Sequence, residues 1–405
     1  MQARAVVLGG DVGGYSLARA FHEAYGGRTI VVSTVPTVPL RYSRIVENVV
    51  ASRMDEPEEV LGVLQEIADR NPDRALLLLG TADWHVRTIA ALRDRLPAAY
   101  VVPYVEMHVL DRVTSKVAFA ALCAEHGVDH PTTVVHDVRG LVMPDTSGLQ
   151  FPVVAKPEDA TGYHRVDFPG KRKVYPDVAD EAELHALLAQ VRDAGYTGSF
   201  LIQDRIPGDD TGMRVLTTYS DRSGRVRFAS FGHVLLEEHT PGALGNPVGI
   251  ITDRDDAVVA QAVRLLEVIG WTGFANFDLK YDPRDGRTVF FELNPRLGRS
   301  HAYVTASGHN TAQMYVREYV EGLDPLDGPD VWAQEQHLTS LVPATVLLRY
   351  LPSTLRALVR RLIRRGRASN PLWYHAERDP RRWAVVALAQ ANHLRKFRQH
   401  HPSHA

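Results

Sequence analysis

The chain has a single cysteine, Cys123, among 405 residues. One thiol excludes an intrachain disulfide, and no Cys/His spacing of the kind that holds zinc accompanies it. So low a count fits a reducing compartment. Long apolar runs are missing too. Nowhere do about 18 consecutive apolar residues occur, the length that would span a bilayer, and the apolar stretch behind Met1–Arg4 is too short for a secretory signal. The expected location is cytoplasmic. A dinucleotide fingerprint is also absent: the glycine-rich Gly9–Gly14 loop breaks the G-x-G-x-x-G spacing, and no acid ends the second strand where a ribose would need it. Net charge is only −2, but it is unevenly spread: from Leu351 onward 11 Arg and 1 Lys face Glu377 and Asp379, a local +10 that leaves −12 for the rest. No nucleic-acid recognition motif accompanies this basic tail, so a nucleic-acid partner is not expected.

What is present is a soluble globular composition, 45% hydrophobic and 23% charged, long enough for two or three domains. Residues 4–110 alternate apolar runs (Ala5–Leu8, Thr29–Val32, Ala75–Leu79, Tyr100–Val102) with helical patterns (Ser16–Tyr25, Pro57–Arg70, His85–Arg95). That alternation predicts a parallel, helix-covered α/β sheet. In such sheets ligands bind beyond the carboxyl ends of the strands. The Gly9–Gly14 loop with Asp11, the following Tyr15, and Asp83 after the third strand are therefore candidate substrate contacts; the loop is equally readable as a turn that merely packs.

Beyond a boundary placed just before Asp111 the pattern changes. Asp111–His126 reads as a helix with Ser115 or Thr114 near its start and Lys116 in its first turn, where a lysine opposes the helix dipole unless an anion sits nearby. Phe151–Lys156 is an apolar strand ending in a lysine. Glu158–Lys173 follows as a basic loop without regular structure, of a length that is usually functional or disordered. Val178–Ala194 reads as a helix, Ser199–Ile206 as a strand entering the acidic turn Asp209-Asp210, and Met213–Tyr219 as a strand carrying Arg214, paired to Val226–Leu235. After a helix at Ala257–Ile269 comes Thr272–Ser300, a hairpin turning at Asp282–Gly286. Alternation puts Asn276, Asp278 and Lys280 on one face of it, with Glu292, Asn294 and Arg296 on the same face of the second arm, Val289, Phe291 and Leu293 opposite. If even numbers pair with even numbers, Asp278 meets Glu292 beside Asn294, an all-oxygen set suited to magnesium. Arg296 would then serve a transferring phosphoryl group. Read alone, the hairpin is also an ordinary salt-bridged surface.

The succession of these features resembles the ATP-grasp superfamily. There, a lysine near the start of the central domain and another at a strand end contact the nucleotide phosphates, positions matched by Lys116 and Lys156. Backbone of the hinge strand holds adenine, matched by Gln203, Asp204 and Ile206, with Asp209 or Asp210 suited to the ribose. The metal triad corresponds to Asp278, Glu292 and Asn294. Arg296 and Arg214 would act on the phosphoryl group. More closely, Gln203–Asp210, Met213–Leu216, Gly273–Asp278, Lys280–Gly286 and Gly298–Ser300 are similar to the D-aspartate ligase branch, from Val7 to about Tyr319 and more loosely through the tail. The resemblance implies an ATP-grasp fold, with a parallel-sheet domain over 1–110 and an ATP-grasp domain over 111–325. A lid lobe at about 150–205 and a metal-site lobe at about 206–325 would clamp ATP, and 326–405 would form a basic, mainly helical extension. It implies ATP and Mg2+, with Mn2+ as a substitute, an amino acid gripped by Arg299 and Ser300, and an amine-bearing acceptor, UDP-linked or lipid-linked, drawn from peptidoglycan synthesis. The basic lid departs from the glycine-rich lid common in the superfamily, so no lid residue is carried over. A biotin-carboxylase-like enzyme, another amide-forming ATP-grasp enzyme and a silent nucleotide-binding protein are the alternatives. Homodimers, common in the superfamily, leave no readable trace here. The arginine-lined helix Leu355–Arg365 suits the inner face of an anionic membrane, acceptor phosphates, or packing against the acidic body.

Overall fold

The computed structural model describes residues 3–158, 160–332 and 335–401. Its N-terminal part is a parallel sheet of β1 (Ala3–Leu8), β2 (Thr29–Ser33), β3 (Val46–Val50), β4 (Ala75–Gly80) and β5 (Tyr100–Val101), in the order β3-β2-β1-β4-β5. Around it lie α1 (Val12–Tyr25), α2 (Pro57–Asp69) and α3 (Asp83–Leu92). Chain order reverses between β1 and β4, so Asp11 and Asp83 stand at the switch point where such sheets open a crevice. Burial on both faces explains why β1, β2 and β4 read as apolar runs; the edge strand β3, Val46-Glu-Asn-Val-Val50, is only partly covered and was not among the expected strands.

Helices α4 (Met107–Thr114) and α5 (Lys116–Glu125) follow. The single helix expected over Asp111–His126 is thus two, broken at Ser115, whose hydroxyl caps the second by accepting from Ala118 N–H at 3.2 Å. Next comes a four-stranded antiparallel sheet, β6-β9-β7-β8, built from β6 (Thr133–Asp137), β7 (Val153–Pro157), β8 (Tyr175–Val178) and β9 (Ser199–Asp204). The expected structureless loop Glu158–Lys173 contains a short helix, α6 (Ala160–His164), while Asp159 lies outside the described residues. The expected helix Val178–Ala194 is α7 (Glu181–Asp193), started by the Asp180 cap, with the residues before it paired as β8.

The third sheet, β14-β13-β10-β11-β12-β15-β16, is formed by β10 (Met213–Ser220), β11 (Val226–Glu237), β12 (Pro247–Asp253), β13 (Gly273–Tyr281), β14 (Thr288–Asn294), β15 (Leu338–Ser340) and β16 (Ala368–Ser369). Helix α8 (Asp256–Val268) packs with α4 and α5 on one face. Helices α9 (Ala302–Ala306) and α10 (Thr311–Tyr319), with α1, cover the other. The C-terminal region adds β15 and β16 to this sheet and folds back as α11 (Ala344–Tyr350), α12 (Ser353–Arg364) and α13 (Pro380–His400). Of the three uses open to α12, its apolar stripe takes packing: Val359 and Leu362 are buried with Leu347 and Phe397, while Arg360, Arg361, Arg364 and Arg365 are exposed. Among the described residues no helix is long and apolar enough to cross a membrane.

Candidate nucleotide and metal site

The hairpin β13–β14 forms in the expected register. Asp278 lies opposite Glu292 and Asn276 opposite Asn294, and the turn closes with Gly286, at φ 79°, donating to the Asp282 carbonyl at 2.9 Å. Cross-strand partners share a face, so the carboxylates converge. One detail differs. The pairing jumps from Asp278↔Glu292 to Leu279↔Phe290, a bulge that absorbs Phe291. Phe290 therefore turns into the core, edge-on to Phe277 at 5.3 Å, and Phe291, expected in the apolar face, is only half-buried. The bulge thus takes Phe290, which strict alternation would set among Glu292 and Asn294, off the polar face.

Asp278 is half-buried, in an unbalanced setting. It accepts from Asn294 Nδ2 at 3.0 Å and weakly from Asn276 Nδ2 at 3.4 Å. Asn276 is itself steadied by the Thr217 hydroxyl, which donates to its Oδ1 at 3.1 Å. Burial, and then the charge of Glu292, push the Asp278 carboxyl up to about 6. Glu292 makes no side-chain hydrogen bond among the described residues. Two acids, an amide oxygen and no neutralising cation on the acids form a donor set that fits magnesium.

Arg296, just beyond β14, donates to Asn294 Oδ1 at 3.1 Å and places its Nε 2.9 Å from Asp83 at the start of α3. The two N-terminal and C-terminal candidates are thus joined across the crevice. Lys116 opens α5, and Lys156 stands on β7, half-buried; burial first, then repulsion from Lys116, hold the Lys156 ammonium down at about 8 against the pull of Glu292. Two lysines that repel one another beside under-balanced acids are what a polyanion with bound cations would reconcile.

On the hinge, Gln203 is a buried strand residue whose amide donates to Thr133 Oγ1 at 2.8 Å. Asp204 N–H donates to the Thr132 carbonyl at 3.0 Å and its carboxylate accepts from Gln150 N–H at 2.8 Å. Ile206 follows where β9 has ended. Asp209 caps the next turn, accepting from Thr211 N–H at 2.9 Å and its hydroxyl at 2.6 Å. Asp210 accepts from Glu237 N–H at 2.9 Å and pairs with His239 Nε2 at 2.8 Å. A third pairing joins Arg299 to Asp11 at 3.5 Å, next to Ser300. Gly13 permits it, since a Cβ there would stand 3.3 Å from the Arg299 Cα.

Two expected residues are elsewhere. Arg214 pairs across to Leu279 and His233, and Val215 pairs to Asp278. Alternation therefore sends Arg214 to the opposite face of the sheet, toward Asp253, Asp255 and Tyr281, away from the metal acids. Tyr15 is fully buried, its hydroxyl donating to Glu377 at 3.1 Å under the Arg382 guanidinium, so it belongs to the core rather than to a substrate surface. Conversely, Glu237 escaped the sequence reading. Register shifts near the end of β11 re-aim it, and burial, then Asp210 and Asp278, push its carboxyl up to about 7. Its signal was the Glu237-Glu238 pair closing a long apolar strand.

The family described as carbamoyl-phosphate synthase L chain, ATP binding domain, matches residues 246–317. A D-aspartate ligase of Enterococcus faecium is 31% identical over 411 residues, covering 98% of this chain and 96% of the relative. Among solved structures, an N5-carboxyaminoimidazole ribonucleotide synthetase bound to ADP superposes with a TM-score of 0.58 at 13% identity, covering 90% of this chain and 87% of that one. The biotin carboxylase domain of Hydrogenobacter thermophilus 2-oxoglutarate carboxylase, bound to MgADP, gives 0.62 at 12%, covering 84% and 74%. An L-amino acid ligase from Bacillus licheniformis gives 0.54 at 16%, covering 81% and 78%. The chain therefore belongs to the D-aspartate ligase family of ATP-grasp enzymes and is an ATP-dependent ligase that forms carbon–nitrogen bonds.

Proposed function

We propose that this ligase phosphorylates the side-chain carboxylate of D-aspartate, or an amino acid close to it, and joins it to the lysine side chain of a peptidoglycan precursor, releasing ADP and phosphate. The observation that carries the reading is the unbalanced Asp278–Glu292 pair, opposed by Arg296, Lys116 and Lys156, within a chain 31% identical to a D-aspartate ligase. In this reading Asp278, Glu292 and Asn294 hold Mg2+, or Mn2+. The metal supplies positive charge between the anionic carboxylate and the γ-phosphate. Lys116 and Lys156 position the phosphates, and Gln203, Asp204, Ile206, Asp209 and Asp210 line the base and ribose. Arg296 stabilises the equatorial oxygens. Arg299, with Asp11 beside it and Ser300, orients the amino acid; Asp83 holds Arg296 in place. The amine then attacks the acyl carbon, phosphate leaves, and the amine proton passes to solvent or an acid nearby.

The reading includes the division into 1–110, 111–325 and 326–405, and work in the cytoplasm on a UDP-linked or lipid-linked acceptor. The outward arginines of α12 support electrostatic contact with anionic lipid. The test is hydroxylamine trapping: with ATP, magnesium and a panel of D- and L-amino acids, D-aspartate should give hydroxamate and stoichiometric ADP. ADP release with bicarbonate and hydroxamate with no amino acid would overturn it.

A further inference from the structure

Three side chains from distant parts of the chain meet where the hinge turn, the end of β11 and the end of α13 come together. His239 Nε2 pairs with Asp210 Oδ2 at 2.8 Å, and the imidazole of His401, the residue that closes α13, stacks on that of His239 at 3.9 Å and 25°. One donor atom from each of the three lies within 4.8 Å of the other two. Among the described residues no other three His, Cys, Asp or Glu side chains gather so closely. The carboxylate is firmly aimed: Oδ2 also accepts from Glu237 N–H at 2.9 Å, while Oδ1 accepts no hydrogen bond among the described residues. Tyr350 stacks on the His401 ring at 4.8 Å and steadies it. All three ligand candidates are half-buried, so water reaches them.

Two imidazoles and a carboxylate are a donor set for zinc and transition metals of like chemistry, whereas magnesium takes oxygens. The molecule therefore sorts its cation donors, with oxygen alone at Asp278, Glu292 and Asn294 and nitrogen in the majority here. The surrounding charge favours a dication. Asp209, Glu237 and Glu238 stand on the acid side with Asp210, against Lys280, which donates to the Gly208 carbonyl at 3.0 Å, and Lys396, 3.9 Å from Glu238. Zinc bonds of about 2.0–2.2 Å at tetrahedral angles set ligand atoms about 3.3 Å apart. Turning the stacked rings closes the longer separations to that value, and the 2.8 Å bond opens to it as metal replaces the proton shared by His239 and Asp210. We propose that Asp210, His239 and His401 bind Zn2+ or a similar transition-metal ion with water as the fourth ligand, and that the bound ion withdraws Asp210 from the ribose of ATP. The first half stands on the donor set alone; the second rests on the nucleotide reading given above. Metal at this point fastens the end of α13 to the hinge turn and competes with ATP for one carboxylate.

The test uses the full chain stripped of transition metals, with magnesium in excess. Equilibrium dialysis against Zn2+ should load one ion per chain, and Co2+ in its place should show the visible absorption of a nitrogen-ligated tetrahedral centre. His239→Ala and His401→Ala should each weaken uptake at least about tenfold, since even the loss of a residue that only supports a ligand costs that much. His400→Ala, next along the chain but outside the group, should bind as the wild type does. No uptake by the wild type, or uptake undiminished in both ligand variants, overturns the site. Zinc should also raise the KM for ATP about tenfold in the wild type, the worth of one charge-assisted hydrogen bond, and leave that of His401→Ala unmoved. A KM indifferent to zinc while the site fills overturns the coupling to ATP. Because uptake needs no turnover, a protein that failed the hydroxylamine test would lose the ligase reading and keep this site.

Discussion

Two carboxylates in this molecule, the buried Glu377 and the half-buried Asp278, are kept in opposite states. Glu377, between the C-terminal region and the N-terminal sheet, accepts from the Tyr15 hydroxyl at 3.1 Å, Ser43 Oγ at 2.5 Å and Arg44 N–H at 2.8 Å, with Arg382 Nε 3.6 Å away. Arg382 is in turn bonded to the Pro39 carbonyl at 2.6 Å. Asp278 has only two asparagine amides and a second acid, while the nearest guanidinium, Arg296, is turned to Asp83. A buried charge whose partners are all supplied by the protein holds the fold together. One left short of partners is waiting for a ligand.

Removing Glu292 should break the contrast most visibly. Glu292→Ala is expected to reduce ADP formation by about a thousandfold or more, roughly 4 kcal/mol of barrier, with a far-UV spectrum unchanged. Asp278→Asn should be as inactive yet more heat-stable. The sign follows from its carboxyl being raised to about 6: above that pH the ionised form is the destabilised one, so neutralising it should return roughly 1–3 kcal/mol at pH 8. A lower melting temperature for Asp278→Asn would show that the acid is structural after all. At the other pole, Glu377→Ala should lose about 3–5 kcal/mol in denaturant titrations by stranding Arg382, with modest change in the activity of the folded fraction.

Titration sharpens the same contrast. Because Asp278 must shed its proton to receive a cation, magnesium affinity should fall by up to about tenfold per pH unit below about 6. Lys156 acts at the other end: held down at about 8, it is charged below that value, so ATP affinity should weaken as pH rises above about 8. Calorimetry of magnesium and of ATP across pH 5–9 checks both, and a flat profile would separate these groups from the site.

How much of this was readable in the sequence depended on the range of the interaction. The hairpin register was legible because strand alternation is local, and the turn at Asp282–Gly286 anchors it. The helix start at Ser115 was legible from its capping chemistry, while the separate helix before it was not. The pairing of Asp83 with Arg296 and the burial of Tyr15 under Arg382 could not, since each joins residues hundreds of positions apart whose meeting is decided by how sheets and helices stack. Glu237 was hidden for another reason: its direction depends on shifts of register that no periodicity reports.

Arg214 gives the smallest expected effect and the clearest separation of family position from geometry. It lies one residue from Val215, which faces the metal acids, and a strand turns consecutive side chains to opposite faces. Its guanidinium bonds the Thr211 and Met213 carbonyls at 2.8 Å and lies over the Tyr281 ring at 5.8 Å, so it braces the hinge turn that carries Asp209 and Asp210. Arg214→Ala should therefore leave kcat within about threefold and raise the KM for ATP by a similar factor, through a loosened turn rather than lost charge stabilisation. Arg214→Lys, which keeps the charge but not the forked donors, should behave like the alanine variant. A fall in kcat approaching that of Glu292→Ala, rescued by lysine, would mean that the side chain reaches the phosphoryl group in a closed state.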